Sequence, residues 1–154
     1  MKSMRRSDRM MNNEEALNVL VEGEYGILST VDSGGQPYGV PLNYVVANEN
    51  IFLHGANAGS KLDNIANNSK VCFSVVGKTN ILPSKFTTKY ESVIAFGDAA
   101  LVTEEDEKIR ILREFIKKYS ADFIDEGETM IAKTIHRTVV VKIAVKNITG
   151  KHTV

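Results

Sequence analysis

The sequence predicts a mainly β fold with flanking helices, in which six short antiparallel strands form a closed or split barrel. Three observations carry this reading. Apolar and β-branched residues recur in short alternating runs, turns of a few residues join most of those runs, and only three segments show helical spacing. Short connections between most strands favour a barrel over a sandwich. At 154 residues the chain has the length of one ordinary domain, and no repeat or Pro/Gly/Ser-rich linker divides it. Residues 1–154 are therefore expected to share one core, with residues 1–11 as a flexible arm.

Asn12 with Glu15 reads as a capping box, Ala16, Leu17, Leu20 and Val21 as the apolar stripe of a short helix, and Gly23 as its stop. Tyr25 to Val31 is the first strand, and Asp32-Ser33-Gly34-Gly35 turns it into a second. That second strand, PYGVPLNYVV, sets Tyr38, Val40, Leu42, Tyr44 and Val46 on one face and leaves the other bare at Gly39, Pro41 and Asn43. Asn48-Glu49-Asn50 leads to a third strand, Ile51 to Gly55. Ser60-Lys61-Leu62-Asp63 opens a two-turn helix that ends at Asn67-Asn68. Val71, Phe73 and Val75 mark the fourth strand, and a fifth runs from about Thr88 to Val102 with Gly97 as a bulge. Thr103 with Asp106 opens a longer helix whose buried stripe is Ile109, Leu112, Phe115, Ile116 and Tyr119. Residues 121–135 show no clear period. Val139, Val141, Ile143 and Val145 alternate with Lys142 and Lys146 in a closing strand wet on one side.

Composition narrows the function classes. Lys+Arg and Asp+Glu balance at 19 each, so no net charge draws the chain to nucleic acid or to a membrane surface. The basic start, with Lys2, Arg5, Arg6 and Arg9, lacks the interleaved aromatics of a nucleic-acid site. Cys72 is the single cysteine; an intrachain disulfide is excluded, and inside an apolar strand its thiol is expected to be buried and inert. No apolar run reaches the ~20 residues of a span, and no signal peptide is visible, so a cytoplasmic, soluble protein is expected. His54, His136 and His152 show no metal-ligand spacing.

Two features point to chemistry. HGANAGSKLDNI, residues 54–65, sets a glycine-containing loop, a hydroxyl and the cation of Lys61 at a helix N-terminus, where unpaired N–H groups favour a phosphate. The plainer reading makes Ser60 an N-cap and Lys61 a solvated first-turn residue. The bare face of the second strand suits a flat ring system that must reach the backbone; the plainer reading is an edge strand guarded by proline. His54 ends the third strand beside the phosphate loop, either as a catalytic group or as a hydrogen-bonded structural residue. The acids from Glu104 to Glu107 complement a helix dipole.

MRRSDR, GILSTVDSGGQPYGVPLNYV, IFLHGANAGSKLDNIANNSKVCFSV and TTKYESVIAFGDAALV, in this order, resemble the nitroimidazole-resistance branch of the pyridoxamine 5′-phosphate oxidase-like flavoproteins. The resemblance covers residues 4 to about 119, and Ile148-Thr149-Gly150-Lys151 near the end fits too. It implies an FMN-binding split barrel in which two subunits hold two FMN molecules across a homodimer interface. Carried over, Ser60 and Lys61 hold the FMN phosphate, and the backbone of Val40, Pro41, Leu42, Asn43 and Tyr44 lines the ring. Tyr90, Ser92 and Val93 approach the flavin from a strand at the interface, and His54 lies near the flavin as the catalytic candidate. The arginine-rich phosphate clamp and carboxy-terminal substrate residues of true pyridoxamine-phosphate oxidases have no match.

The expected function is an FMN-dependent oxidoreductase that takes electrons from a reduced nicotinamide and passes them to a small aromatic or nitro compound. The alternative is a non-catalytic module that binds or stores FMN or heme, and a third reading is a barrel that has lost its cofactor and serves as a dimeric interaction protein.

Overall fold

Asn12 caps the first helix, α1 (Asn13–Glu22), from both directions: its side chain accepts the Glu15 N–H at 2.8 Å, and the Glu15 carboxylate accepts the Asn12 N–H at 3.0 Å. Beyond it, the computed structural model, which describes residues 1–153, contains four strands, β1 (Gly26–Val31), β2 (Pro37–Leu42), β3 (Val45–Ala47) and β4 (Asn50–Ala56). Helix α2 (Ser60–Asn67) follows, then the long strands β5 (Lys70–Leu82) and β6 (Thr87–Leu101), helices α3 (Glu105–Tyr119) and α4 (Ile124–Thr134), and strand β7 (Thr138–His152). All neighbours in the sheet are antiparallel, in the order β2-β1-β5-β6-β7-β4-β3.

Seven strands stand where the sequence predicts six, because the predicted second strand divides at Asn43 and Tyr44. Pro37–Leu42 pairs with β1 at one edge of the sheet, whereas Val45–Ala47 pairs with β4 at the opposite edge. Two residues thus join the two edges. Since a chain covers at most ~3.6 Å per residue, Leu42 and Val45 lie within about 11 Å and the sheet has to curl into a split barrel. The strict alternation read along this segment fails at the seam: Tyr44 and Val45 are both buried, in different clusters, and Tyr38 is exposed.

The barrel interior gathers Leu28, Ile51, Leu53, Phe73, Val93 and Ile143, with Leu20 of α1 and Ile65 of α2 packed into it. Each such side chain contributes about 1.5 to 3 kcal/mol on burial. A second cluster lies outside the barrel, where Ile111, Leu112 and Phe115 of α3 and Ile131 of α4 cover Phe52 and Val140. Of the buried stripe expected for α3, Leu112 and Phe115 are buried, Ile109 and Ile116 only partly, and Tyr119 is exposed, while Ile111 is buried; that helix begins at Glu105 rather than Thr103, without a side-chain cap. Helix α4 occupies the segment in which no period is legible. Gly127 hides it: glycine disfavours a helix interior, yet a Cβ here would come within 2.8 Å of Ile116, so only glycine lets α3 and α4 approach.

The bulge expected at Gly97 falls on the partner strand instead: Phe96 lies opposite Asn147 and Gly97 opposite Val145, so Lys146 of β7 is the extra residue. Strand β5 runs to Leu82, seven residues past its predicted end at Val75. The end of the expected flexible arm is fixed: Met10 bridges to Lys151, the Met11 N–H donates to the Gly150 carbonyl at 2.9 Å, and Met11 is buried. A Cβ at Gly150 would come within 2.8 Å of Ala16 and 2.9 Å of Met11.

Candidate functional site

Asp32 builds the turn between β1 and β2, its carboxylate accepting the N–H groups of Gly34 and Gln36 at 2.8 Å while Gly35 takes φ 84°. The turn presents β2 as an edge strand. A Cβ at Gly39 would meet only Ile27 at 3.4 Å and Ser29 at 4.0 Å, so the fold itself tolerates a side chain there. Gly39 and Pro41 are exposed, and the strip they form is open.

Helix α2 packs on the other, inner side of β1. Its buried Asn64 donates to the buried Thr30 hydroxyl at 3.0 Å, and Thr30 lies opposite Tyr38 of β2. Ser60 is the first helical residue and not the N-cap the sequence suggests. Gly59 holds that place at φ 137°, with no side-chain cap. The Lys61 ammonium reaches back to Gly55, where a Cβ would lie 3.5 Å from Nζ. The uncapped helix start, the exposed Ser60 hydroxyl and the Lys61 cation are groups chemically suited to an anion.

His54 does not join these groups. Successive residues of a strand face opposite ways, so with Lys61 on the Gly55 side, His54 points toward α3. Its ring stands edge-on to Phe115 with centroids 4.4 Å apart, and the desolvation this brings lowers its pKa.

The backbone of the expected ring-binding segment is only partly open. Val40, Pro41 and Leu42 belong to the edge strand, but Asn43 donates its side-chain amide to the Glu24 carbonyl at 3.0 Å. Tyr44 is fully buried, its hydroxyl donates to the Leu20 carbonyl, its N–H donates to the Tyr119 hydroxyl, and its carbonyl accepts from Lys118. Val93 also faces the barrel core. Tyr90 and Ser92 face outward near Lys151, whereas Gly55 pairs with Val139, twelve residues earlier on β7. That is about 40 Å of strand at 3.3 Å per residue, so one chain does not bring Tyr90 and Ser92 to Lys61.

Between these two regions lies a broad face that sequence reasoning missed. Pairing sets Pro41, Ile27, Ser74, Ile94 and Thr149 in one outward row, and Gly39, Ser29, Cys72, Phe96 and Asn147 in the next. No helix of the outer cluster covers these rows and they contain no charge, but at the β6–β7 end Met1, Lys2 and Met4 lie against Ile94, Phe96 and Thr149. An outward antiparallel face is ordinarily polar and charged. Cys72, expected to be buried, is half-exposed on this face, because Val71, Phe73 and Val75 take the inward positions. The outward residues of β5 and β6 were legible as the complement of the apolar alternation.

Comparison with known proteins adds to this picture. A family model described as pyridoxamine 5′-phosphate oxidase matches residues 12–152. No curated protein matches the sequence. Among solved structures, a conserved hypothetical protein from Mycobacterium tuberculosis superposes with a TM-score of 0.83 at 21% identity, covering 97% of this chain and 90% of that one. A candidate 5-nitroimidazole antibiotic resistance protein from Bacteroides thetaiotaomicron VPI-5482 gives 0.76 at 20% identity, covering 92% and 85%. The FAD and heme binding protein from Mycobacterium smegmatis gives 0.71 at 18% identity, covering 94% and 73%. These likenesses bear on the fold. Among the described residues, no helix is long and apolar enough to cross a membrane.

Proposed function

Because the chain belongs to the pyridoxamine 5′-phosphate oxidase family, we propose that it is a flavoprotein, an FMN-dependent oxidoreductase of small aromatic or nitro compounds, with each site completed by a second copy. The observation that carries this reading is the uncapped start of α2 with the Lys61 cation in its first turn. Its residues fit a flavin nucleotide. Lys61, Ser60 and the helix N–H groups would hold the phosphate, and Gly39 and Pro41 leave room for a planar ring against the strand. FMN, when bound, would supply electron transfer between a reduced nicotinamide and the acceptor, and the chain would bind and orient it. The candidate nitroimidazole-resistance protein among the structural neighbours supports the choice of acceptor.

Two features support dimerisation. The uncharged outer rows need a cover, and a two-fold partner presents the same rows in return. Tyr90 and Ser92 lie far from Lys61 in their own chain, so a flavin that touches both sets takes Tyr90 and Ser92 from the partner.

His54 faces α3 rather than Lys61, which also suits a module that binds flavin or heme without turnover. The test begins with the visible spectrum of the purified protein and an FMN titration. Flavin absorbance, or uptake of added FMN that Lys61→Ala weakens, is expected; a colourless protein that takes up no FMN overturns the reading. Anaerobic reduction by a nicotinamide, followed by reoxidation on adding a nitro compound, separates the enzyme from the storage module.

A further inference from the structure

Past the last rung shared with β7, Glu91 opposite His152, strands β5 and β6 continue as a ribbon of two strands, flanked among the described residues by Thr153, whose N–H donates to the Tyr90 carbonyl at 3.0 Å. Its pairs are Thr79–Tyr90, Asn80–Lys89, Ile81–Thr88 and Leu82–Thr87, closed by Pro83–Lys85 and by Phe86 at φ 49°. A ribbon of this kind is at best marginally stable alone in water. Here it holds Ile81 at 70% and Phe86 at 97% exposure, the latter in a left-handed conformation that is unusual for an aromatic residue. The ribbon is also basic. Lys78, Lys85 and Lys89 are exposed, no carboxylate occurs between residues 78 and 90, and none of the three lysines is ion-paired among the described residues.

The root of the same ribbon has the opposite character. A groove of about 260 Å³ opens there, with Val19 and Val76 as apolar walls, Glu22, Glu24 and Glu91 as carboxylates, and Lys78 as the single cation. Val76, at 64% exposure, adjoins the uncharged outer rows through its pairing with Ser92.

We propose that the ribbon of one copy seats in the acidic groove of a second copy, and the reverse, so that two ribbons lie antiparallel across a two-fold axis. The inference rests on the dimer reading above and names the contact that locks it. Basic tip and acidic root are complementary in charge, and each carries apolar surface for the other to cover. A two-fold axis through the ribbons brings each tip to the other root at once, which is the self-matching that an isologous contact requires. Phe86 then covers the Val19–Val76 wall, and Lys85 and Lys89 face Glu22 and Glu24.

Sedimentation analysis of the full chain tests this. The parent is expected to dimerise at micromolar concentration. Lys85→Glu with Lys89→Glu, or Glu22→Lys with Glu24→Lys, is expected to raise the dissociation constant by roughly tenfold or more. Mixing those two variants, or combining all four changes in one chain, is expected to restore association. Phe86→Ser is expected to weaken the dimer while leaving the far-ultraviolet circular dichroism unchanged. If both charge-reversed variants dimerise like the parent, or if mixing restores nothing, ribbon exchange is wrong and the dimer through the outer rows still stands. A parent that stays monomeric overturns both.

Discussion

The Lys118 ammonium lies 4.0 Å from the centroid of the Tyr44 ring and donates a hydrogen bond to the Tyr44 carbonyl at 3.0 Å. Tyr119, next in the helix, accepts the Tyr44 N–H at 3.1 Å and lies within donating distance of the carbonyls of Glu24 and Tyr44, at 2.7 and 2.9 Å. Adjacent residues of α3 thus hold the backbone at the point where the chain passes from one edge of the sheet to the other. Neither ladder reaches this seam, and its buried polar groups are satisfied by side chains instead.

Tyr119→Phe removes the hydroxyl that accepts the Tyr44 N–H while keeping the ring. The expected loss is about 1 to 3 kcal/mol in urea unfolding, from a donor left without a partner. The m-value should not change. A midpoint equal to that of the parent refutes the clamp.

The Tyr44 hydroxyl gives the fold an alkaline limit. Burial pushes its pKa upward, with the nearby Tyr119 as a smaller cause, so the folded protein keeps the proton above the ordinary tyrosine value of about 10. In the unfolded chain the phenol ionises near pH 10. The folded state then binds more protons, and stability that is fully present below pH 10 is lost as pH rises beyond it. Tyr44→Phe should be less stable than the parent at pH 7 by about 1 to 3 kcal/mol, since the Leu20 carbonyl loses its donor. Above pH 10 that gap should narrow, by at most about 1.4 kcal/mol per pH unit. Parallel stability curves from pH 8 to 11 contradict this.

Elements governed by local chemistry were legible in the sequence: the Asn12–Glu15 box, the Asp32 turn and the helix that opens at Ser60 and Lys61. What was illegible depends on partners distant in sequence. The β2–β3 division is set by Lys118 and Tyr119, about 75 residues away by the separations of their hydrogen bonds, and Gly127 is helical only because Ile116 packs on it. His54 shows the same limit. Its place beside the loop in sequence says nothing of which face of β4 it takes, and the outer helix decides that.

Cys72 reports on whether the outer rows are covered. It stands half-exposed among Ser29, Phe96 and Asn147 in the single chain, so a free monomer should react readily with a thiol reagent. In the dimer proposed above it should be slow, and dilution below the dissociation constant should speed it up. Equal rates at all concentrations, with the dimer present, place the interface elsewhere.

Gly39 separates what the fold needs from what a ligand needs. A side chain at this position meets only Ile27 at 3.4 Å and Ser29 at 4.0 Å, and β-branched residues suit a strand. Gly39→Val should therefore keep the parent stability within about 1 kcal/mol, because glycine is itself a weak strand former. The same substitution fills the strip that a flavin ring would lie on, so the FMN dissociation constant should rise by about tenfold or more, the effect of roughly 1.4 kcal/mol. Lys61→Ala should weaken binding through the phosphate instead, and the two losses should add, because the groups act on opposite ends of the nucleotide. Unchanged affinity in Gly39→Val would mean that the bare edge exists only to guard the sheet.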